Sequence, residues 1–213
     1  MGDVGDELVA GAGGQQLVRG FTQDQQAISF SFLLFAAYCV ALGLLLPFDV
    51  NLKNDRSPLK PLRFDVTVRT SLAVYGLTAF LFAFIDMVID PVALRGDRWF
   101  LGKIYDYPDP GWHFGVPFAN YVGWAVVGLI SLALYAPLDQ RLAPLTISPS
   151  MTQRLLLGIG LYYGVLAFNL GMTFWIGETF MGISGLLMHL PVLMILTTRL
   201  VIRHSIHHAK QHG

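Results

Sequence analysis

An all-α, polytopic membrane helix bundle is the fold this sequence predicts, and three observations predict it. Of 213 residues 54% are hydrophobic and only 13% charged, where an ordinary soluble domain carries roughly a quarter charged residues. The apolar residues come in blocks of about 18 to 22, the length that crosses roughly 30 Å of hydrocarbon as a helix. About five such blocks follow one another with no second kind of segment between them, which argues for one compact membrane domain.

The chain opens on a polar tail, residues 1–27, that is acidic and Gly-rich. It has no basic region leading into an apolar one, so it does not read as a cleavable signal peptide, and insertion is expected to rely on the first membrane helix. That helix is predicted over about residues 28–48, closed by Pro47, which disfavours helical continuation. A polar stretch, 49–69, precedes the second span, about 70–89, which ends in Ile85-Asp-Met-Val-Ile-Asp-Pro91 with two acids where a helix leaves hydrocarbon. Residues 92–117 are too polar to span and too aromatic for a linker, and they are predicted to fold back as a re-entrant or interfacial loop. The third span is predicted at about 118–135, the fourth at 155–176 and the fifth at 181–198. The short turn between the last two makes them an antiparallel pair. The membrane domain is thus 28–200, followed by a basic, His-rich tail, 201–213.

Helix four carries Gly158, Gly160, Gly164 and Gly171. The Gly160 to Gly164 spacing suits close approach of a neighbouring helix backbone. Counting Lys and Arg near the span ends sets the expected orientation. Lys53, Arg56, Lys60, Arg63, Arg69, Arg141, Arg154, Arg199, Arg203 and Lys210 fall on one side, and Arg19, Arg95, Arg98 and Lys103 on the other. The expectation is an outer N-terminus and a cytoplasmic C-terminus in a prokaryotic cytoplasmic membrane.

Formal net charge is zero, so nothing biases the chain toward nucleic acid. The single Cys39 excludes an intrachain disulfide and a thiolate metal cluster. No phosphate-binding loop, dinucleotide fingerprint, zinc spacing or nucleophilic serine elbow is present. No cofactor and no metal are expected.

Asp86 and Asp90 are the residues that could carry chemistry. Four residues apart on a helix, their carboxyls project from one face about one turn from each other. An ionised carboxylate deep in a membrane helix costs about 2.5 to 3.5 kcal/mol, and two close like charges raise the cost further, so one of the pair is expected in its protonated form. A carboxylic acid kept protonated near neutral pH is what a general acid requires. The plainer alternative has Asp90 ending the helix before Pro91 while Asp86 pairs with Arg95 or Arg98.

Downstream come Trp99, Tyr105, Tyr107, Trp112 and His113, then Gly115-Val-Pro-Phe-Ala-Asn120-Tyr-Val-Gly-Trp124. Aromatics at a membrane boundary usually anchor it. Here they share one loop with an acidic helix end, where ring faces can stabilise a cation. Asn120 and Trp124 fall on one helical face, and Asn120 is placed to position a water or hold a carboxylate.

The ordered set Asp86, Asp90-Pro91, Trp99, Tyr105, Gly115-x-Pro117, Asn120 and Gly123-Trp124 resembles the signature region of the membrane carotenoid hydratases, the CruF-like family that includes gamma-carotene hydratase and bisanhydrobacterioruberin hydratase. The resemblance is strongest over residues 82–128 and hydropathic beyond. It departs in the extra segment Asp106-Tyr-Pro-Asp-Pro-Gly111 and in a chain shorter than is usual for the family. The resemblance implies cofactor-independent addition of water to a terminal double bond of a linear carotenoid, giving a tertiary alcohol. Asp86 and Asp90 would share the acid and base roles, Asn120 would orient water, and Trp99, Tyr105, Trp112, His113 and Trp124 would bind the apolar isoprenoid substrate. The rival reading is a noncatalytic pigment- or lipid-binding subunit of a larger membrane complex, or a homo-oligomer. His189, before Pro191, reads as a packing residue, and the histidines of the tail as a solvated basic end. Glu178 stands in the turn between helices four and five, either at the water interface or as a third carboxylate.

Overall fold

The apolar blocks become five helices, here α1 (Ser29–Leu45), α2 (Leu72–Ala93), α3 (Phe118–Arg141), α4 (Pro149–Trp175) and α5 (Thr179–Gln211). A computed structural model of the chain describes residues 29–46, 66–98, 106–141 and 149–211; the expected polar tail 1–27 and most of the first loop lie outside the described residues. Among the described residues four helices, α2 to α5, are long and apolar enough to cross a membrane, and α1 is a shorter apolar helix. The protein is an all-α polytopic membrane bundle, as composition and block length predict.

Large apolar side chains cover its outside: Leu134, Leu157, Trp175 and Phe180 are all more than 70% exposed. In water such a surface would be a liability; in lipid it is solvated. The core therefore depends on fit, since hydrocarbon tails are as apolar as leucine. At its centre α2 packs against α3, α4 and α5, with Phe82 and Ile85 among the fully buried side chains beside Val40, Leu46, Tyr162 and Leu196. The Tyr162 hydroxyl, buried in this core, donates to the Leu81 carbonyl at 3.0 Å.

Local sequence sets the helix ends. Ser71, in extended conformation, caps α2 by accepting from the Val74 N–H at 3.3 Å, one of the donors a helix start leaves unpaired. At the α4–α5 turn Gly177 takes φ 83°. Its N–H bonds the Phe174 carbonyl and that of Glu178 bonds Thr173 at 3.1 Å each, the paired closure of a helix ending on a left-handed glycine. This turn folds α4 and α5 into the expected antiparallel pair.

Arg69, on the short helix Val66–Arg69 that precedes α2, and Asp139, near the end of α3, are buried at the far end of the bundle and meet in a two-pronged ion pair at 2.8 and 3.2 Å. The Tyr38 hydroxyl of α1 donates to the Arg69 carbonyl at 3.0 Å, which ties three helices together at that end. Removing one partner of such a buried pair costs about 3–5 kcal/mol. α5 runs on to Gln211, so the backbone of the basic end is helical.

Two expectations are corrected. A Cβ on Gly160, Gly164 or Gly171 would meet nothing within 4 Å, whereas one on Gly158 would collide with the Cys39 side chain of α1. Close approach in α4 thus rests on Gly158. The second correction concerns α2, which passes through Asp90 and Pro91 to Ala93. Proline lacks the N–H that would bond the carbonyl four residues earlier, yet the freed Met87 carbonyl is not left bare: His113 Nε2 lies 3.0 Å from it.

Candidate active site

The end of α2 that carries the acids is roofed by residues 106–117, and a few backbone features shape that roof. Gly111 and Gly115 exchange N–H to carbonyl bonds at 3.0 and 3.2 Å, and Val116 N–H bonds the His113 carbonyl at 3.0 Å. The tight loop puts Phe114 at φ 52° and Gly115 at φ 99°, conformations that a side chain normally disfavours. At Gly111 a Cβ would run into the Val116–Pro117 backbone, so no larger residue fits.

Two arginines fasten the roof. Arg95 Nη1 donates to the Phe114 carbonyl at 3.1 Å, and its Nε donates to Glu178 at 3.2 Å. Arg98 Nη1 reaches the same Glu178 oxygen at 3.2 Å. Glu178 therefore serves as the anchor of this clamp and is not a third acid at the site. Neither arginine is Asp86's hydrogen-bond partner, which removes the plainer alternative for the two aspartates.

Asp86 and Asp90 are instead drawn together by α3. Asp86 is 2% exposed and Asp90 5%, a placement that demands partners. Asn120, in the first turn of α3, supplies them: its Nδ2 donates to Asp86 Oδ2 at 3.0 Å and to Asp90 Oδ2 at 2.6 Å. An amide nitrogen carries two hydrogens, so one side chain can hold both carboxyls at once. The two carboxyls also interact with each other. The hydroxyl of Tyr107, from the roof, donates to Asp90 Oδ2 at 3.1 Å. Partial burial, with the neighbouring Asp90 charge second, holds this phenol well above its usual range, so it remains a donor at physiological pH.

His113 is buried beneath the roof with its ring edge-on to Tyr121 at 5.8 Å. The Tyr121 hydroxyl is buried, has no hydrogen-bond partner among the described residues, and lies close enough to interact electrostatically with Asp86, Asp90 and Tyr107. Trp124 sits one turn further along α3, tilted against Phe30 at 4.1 Å and edge-on to Phe82 at 5.1 Å. Trp112 does not join the cluster; it is 73% exposed and its ring stands edge-on to His113 at 5.4 Å. Trp99 and Tyr105 lie outside the described residues. No group of three or more His, Cys, Asp or Glu side chains among the described residues is placed to hold a metal ion.

Two residues at the site were not singled out by sequence as site residues. Tyr107 sits in the extra segment Asp106–Gly111, whose Pro and Gly content reads as a turn. Tyr121 follows Asn120 directly, and its place beside the acids was readable only once α3 was known to pack across α2.

These residues are a buried pair of carboxyls gripped by one amide and one phenol, with a buried hydroxyl beside them that has no partner among the described residues. Such a set can move protons without any added group. A family model described as carotenoid biosynthesis protein matches residues 26–192. No curated protein and no solved structure matches the chain.

Proposed function

The chain belongs to the carotenoid biosynthesis protein family and has a role in carotenoid metabolism, and from that premise we propose that it is a hydratase, adding water to a terminal carbon–carbon double bond of a linear carotenoid. The observation that carries the reading is the shared grip of Asn120 on Asp86 and Asp90. It holds two acids at a separation where one proton serves both.

The environments support one division of the roles. Asp90 accepts from both Asn120 and Tyr107, and hydrogen bonds to a carboxylate favour the charged form. Asp86 accepts from Asn120, has the Asp90 carboxyl as its other neighbour, and is the more buried of the two. Asp86 is therefore the acid and Asp90 the base. Asp86 gives its proton to the less substituted alkene carbon, and the positive charge falls on the tertiary carbon. The Asp90 carboxylate and the ring faces of Tyr121 and Trp124 stabilise that cation. A water held by the Tyr121 hydroxyl attacks it, and Asp90 takes the proton that the water loses. Proton transfer between the two carboxyls resets the pair. Atoms balance as alkene plus water giving tertiary alcohol, with no change of oxidation state overall.

Expression of wild type and of an Asp86→Asn/Asp90→Asn variant in cells that accumulate linear carotenoids tests the reading. Wild type should give a pigment heavier by one water, and the variant none. A folded wild type that leaves several acyclic carotenoids unchanged would instead favour a noncatalytic pigment-binding role.

A further inference from the structure

One turn away from the carboxyl pair lies a feature that the proton chemistry does not use. A cavity of about 350 Å³ opens between α1 and α3, lined by Phe30, Ser31, Phe35 and Tyr38 of α1, Phe82 of α2, and Ser131 and Tyr135 of α3. That is within the range of small-molecule sites. It runs lengthwise, eight residues along α1 from Phe30 to Tyr38, or about 12 Å at helical rise. Phe35 and Tyr135, at its rim, are 49% and 45% exposed, so the opening is sideways, toward lipid and not toward water.

Two of its hydroxyls are already engaged. The Ser131 hydroxyl donates to the Val127 carbonyl at 2.8 Å and the Tyr38 hydroxyl to the Arg69 carbonyl at 3.0 Å. A hydrocarbon occupant would strand none of them. The buried Arg69–Asp139 pair lies beyond Tyr38 and marks the far end.

The near end points at the acids. Phe82 precedes Asp86 by four residues on α2, and Trp124 follows Asn120 by four on α3, each a single turn of about 5.4 Å. The Phe30–Trp124–Phe82 ring cluster lies at that end, with Phe30 and Phe82 forming cavity wall and Trp124 packed against both. We infer that this cavity is the slot for the hydrocarbon arm of a linear polyene, entered sideways from the bilayer, with Trp124 as the gate that passes the terminal double bond to Asp86 and Asp90. The inference rests on the hydratase reading for the direction in which the arm points. A phospholipid acyl chain is the competing occupant; it has no reactive end for the acids, and the aromatic walls favour a conjugated chain.

An achiral linear carotenoid acquires circular dichroism in the visible only when a chiral site holds it, so binding and turnover can be read from one sample. Purified protein in micelles is mixed with such a polyene, using wild type, Asp86→Asn/Asp90→Asn, Ser131→Phe and, as a second filling from the opposite wall, Ser31→Phe. Wild type and the double Asn variant should both show the induced signal, and the folded Phe variants should lose most of it. The Phe variants should also lower the preference for a long polyene over a short isoprenoid with the same terminal double bond by about tenfold. An induced signal retained in both Phe variants overturns the slot, as does its absence from wild type, which would leave the cavity to acyl chains. A wild type that binds through the slot and forms no alcohol refutes the hydratase reading and leaves the slot standing.

Discussion

Replacing His113 by Phe removes one hydrogen bond and little packing. The ring is buried, and its edge contacts with Trp112, Phe114 and Tyr121 are ones a phenyl ring can keep. What disappears is the 3.0 Å contact to the Met87 carbonyl. Pro91 has no N–H to offer that carbonyl, so it becomes a buried acceptor without a donor, at a cost of about 1–3 kcal/mol. Pro91→Ala restores an N–H at the position that normally bonds it. In that background His113→Phe should cost less by about 1 kcal/mol or more, the size of coupling expected between residues that share a partner. For a chain of this size each kcal/mol shifts the melting point by about 2–4 °C. The four proteins of the cycle, unfolded in micelles and followed by far-ultraviolet circular dichroism, give the coupling directly. Equal losses on the two backgrounds refute the argument that His113 stands in for the missing backbone donor.

Three further outcomes follow from the same geometry. Asn120→Leu, which deprives both carboxyls of their common donor, should lower hydration by about a hundred- to a thousandfold, the scale of losing one preorganised donor; pigment analysis of cells at matched protein levels reads it. Tyr107→Phe removes one of the two donors to Asp90 and should slow turnover by about ten- to a hundredfold, with substrate affinity nearly unchanged in a steady-state assay. Gly158→Ala forces a methyl into the Cys39 side chain and should destabilise the bundle by about 1–3 kcal/mol, while Gly160→Ala, with open space around it, should stay within about 0.5 kcal/mol in the same unfolding measurement.

The bundle was legible in the sequence because membrane helices announce themselves by length and hydropathy, with no long-range information needed. The pairing of Asp86 with Asp90 was legible for a similar reason: a spacing of four on one helix fixes a shared face. Asn120 was found from its place at the start of the next span, and its bonds to both acids agree with the role of holding a carboxylate. The partners of Arg95, Arg98 and Glu178 were not legible, because ion pairs across some eighty residues of sequence depend on which helix ends meet. Gly158 was passed over for the same reason. Spacing within α4 identifies small residues, and only the position of α1 decides which of them is crowded. Pro91 misled because a proline in a helix usually marks its end; here a side chain from the roof takes over the missing bond, and the helix continues by one more turn.

The most direct test of the account is carried out on purified wild-type protein with a linear carotenoid in deuterated, heavy-oxygen water. The account predicts an alcohol with solvent oxygen on the tertiary carbon and solvent deuterium on the neighbouring, less substituted carbon, with neither label introduced by Asp86→Asn/Asp90→Asn. A product whose new oxygen comes from elsewhere, or one formed equally well by that variant, would contradict it.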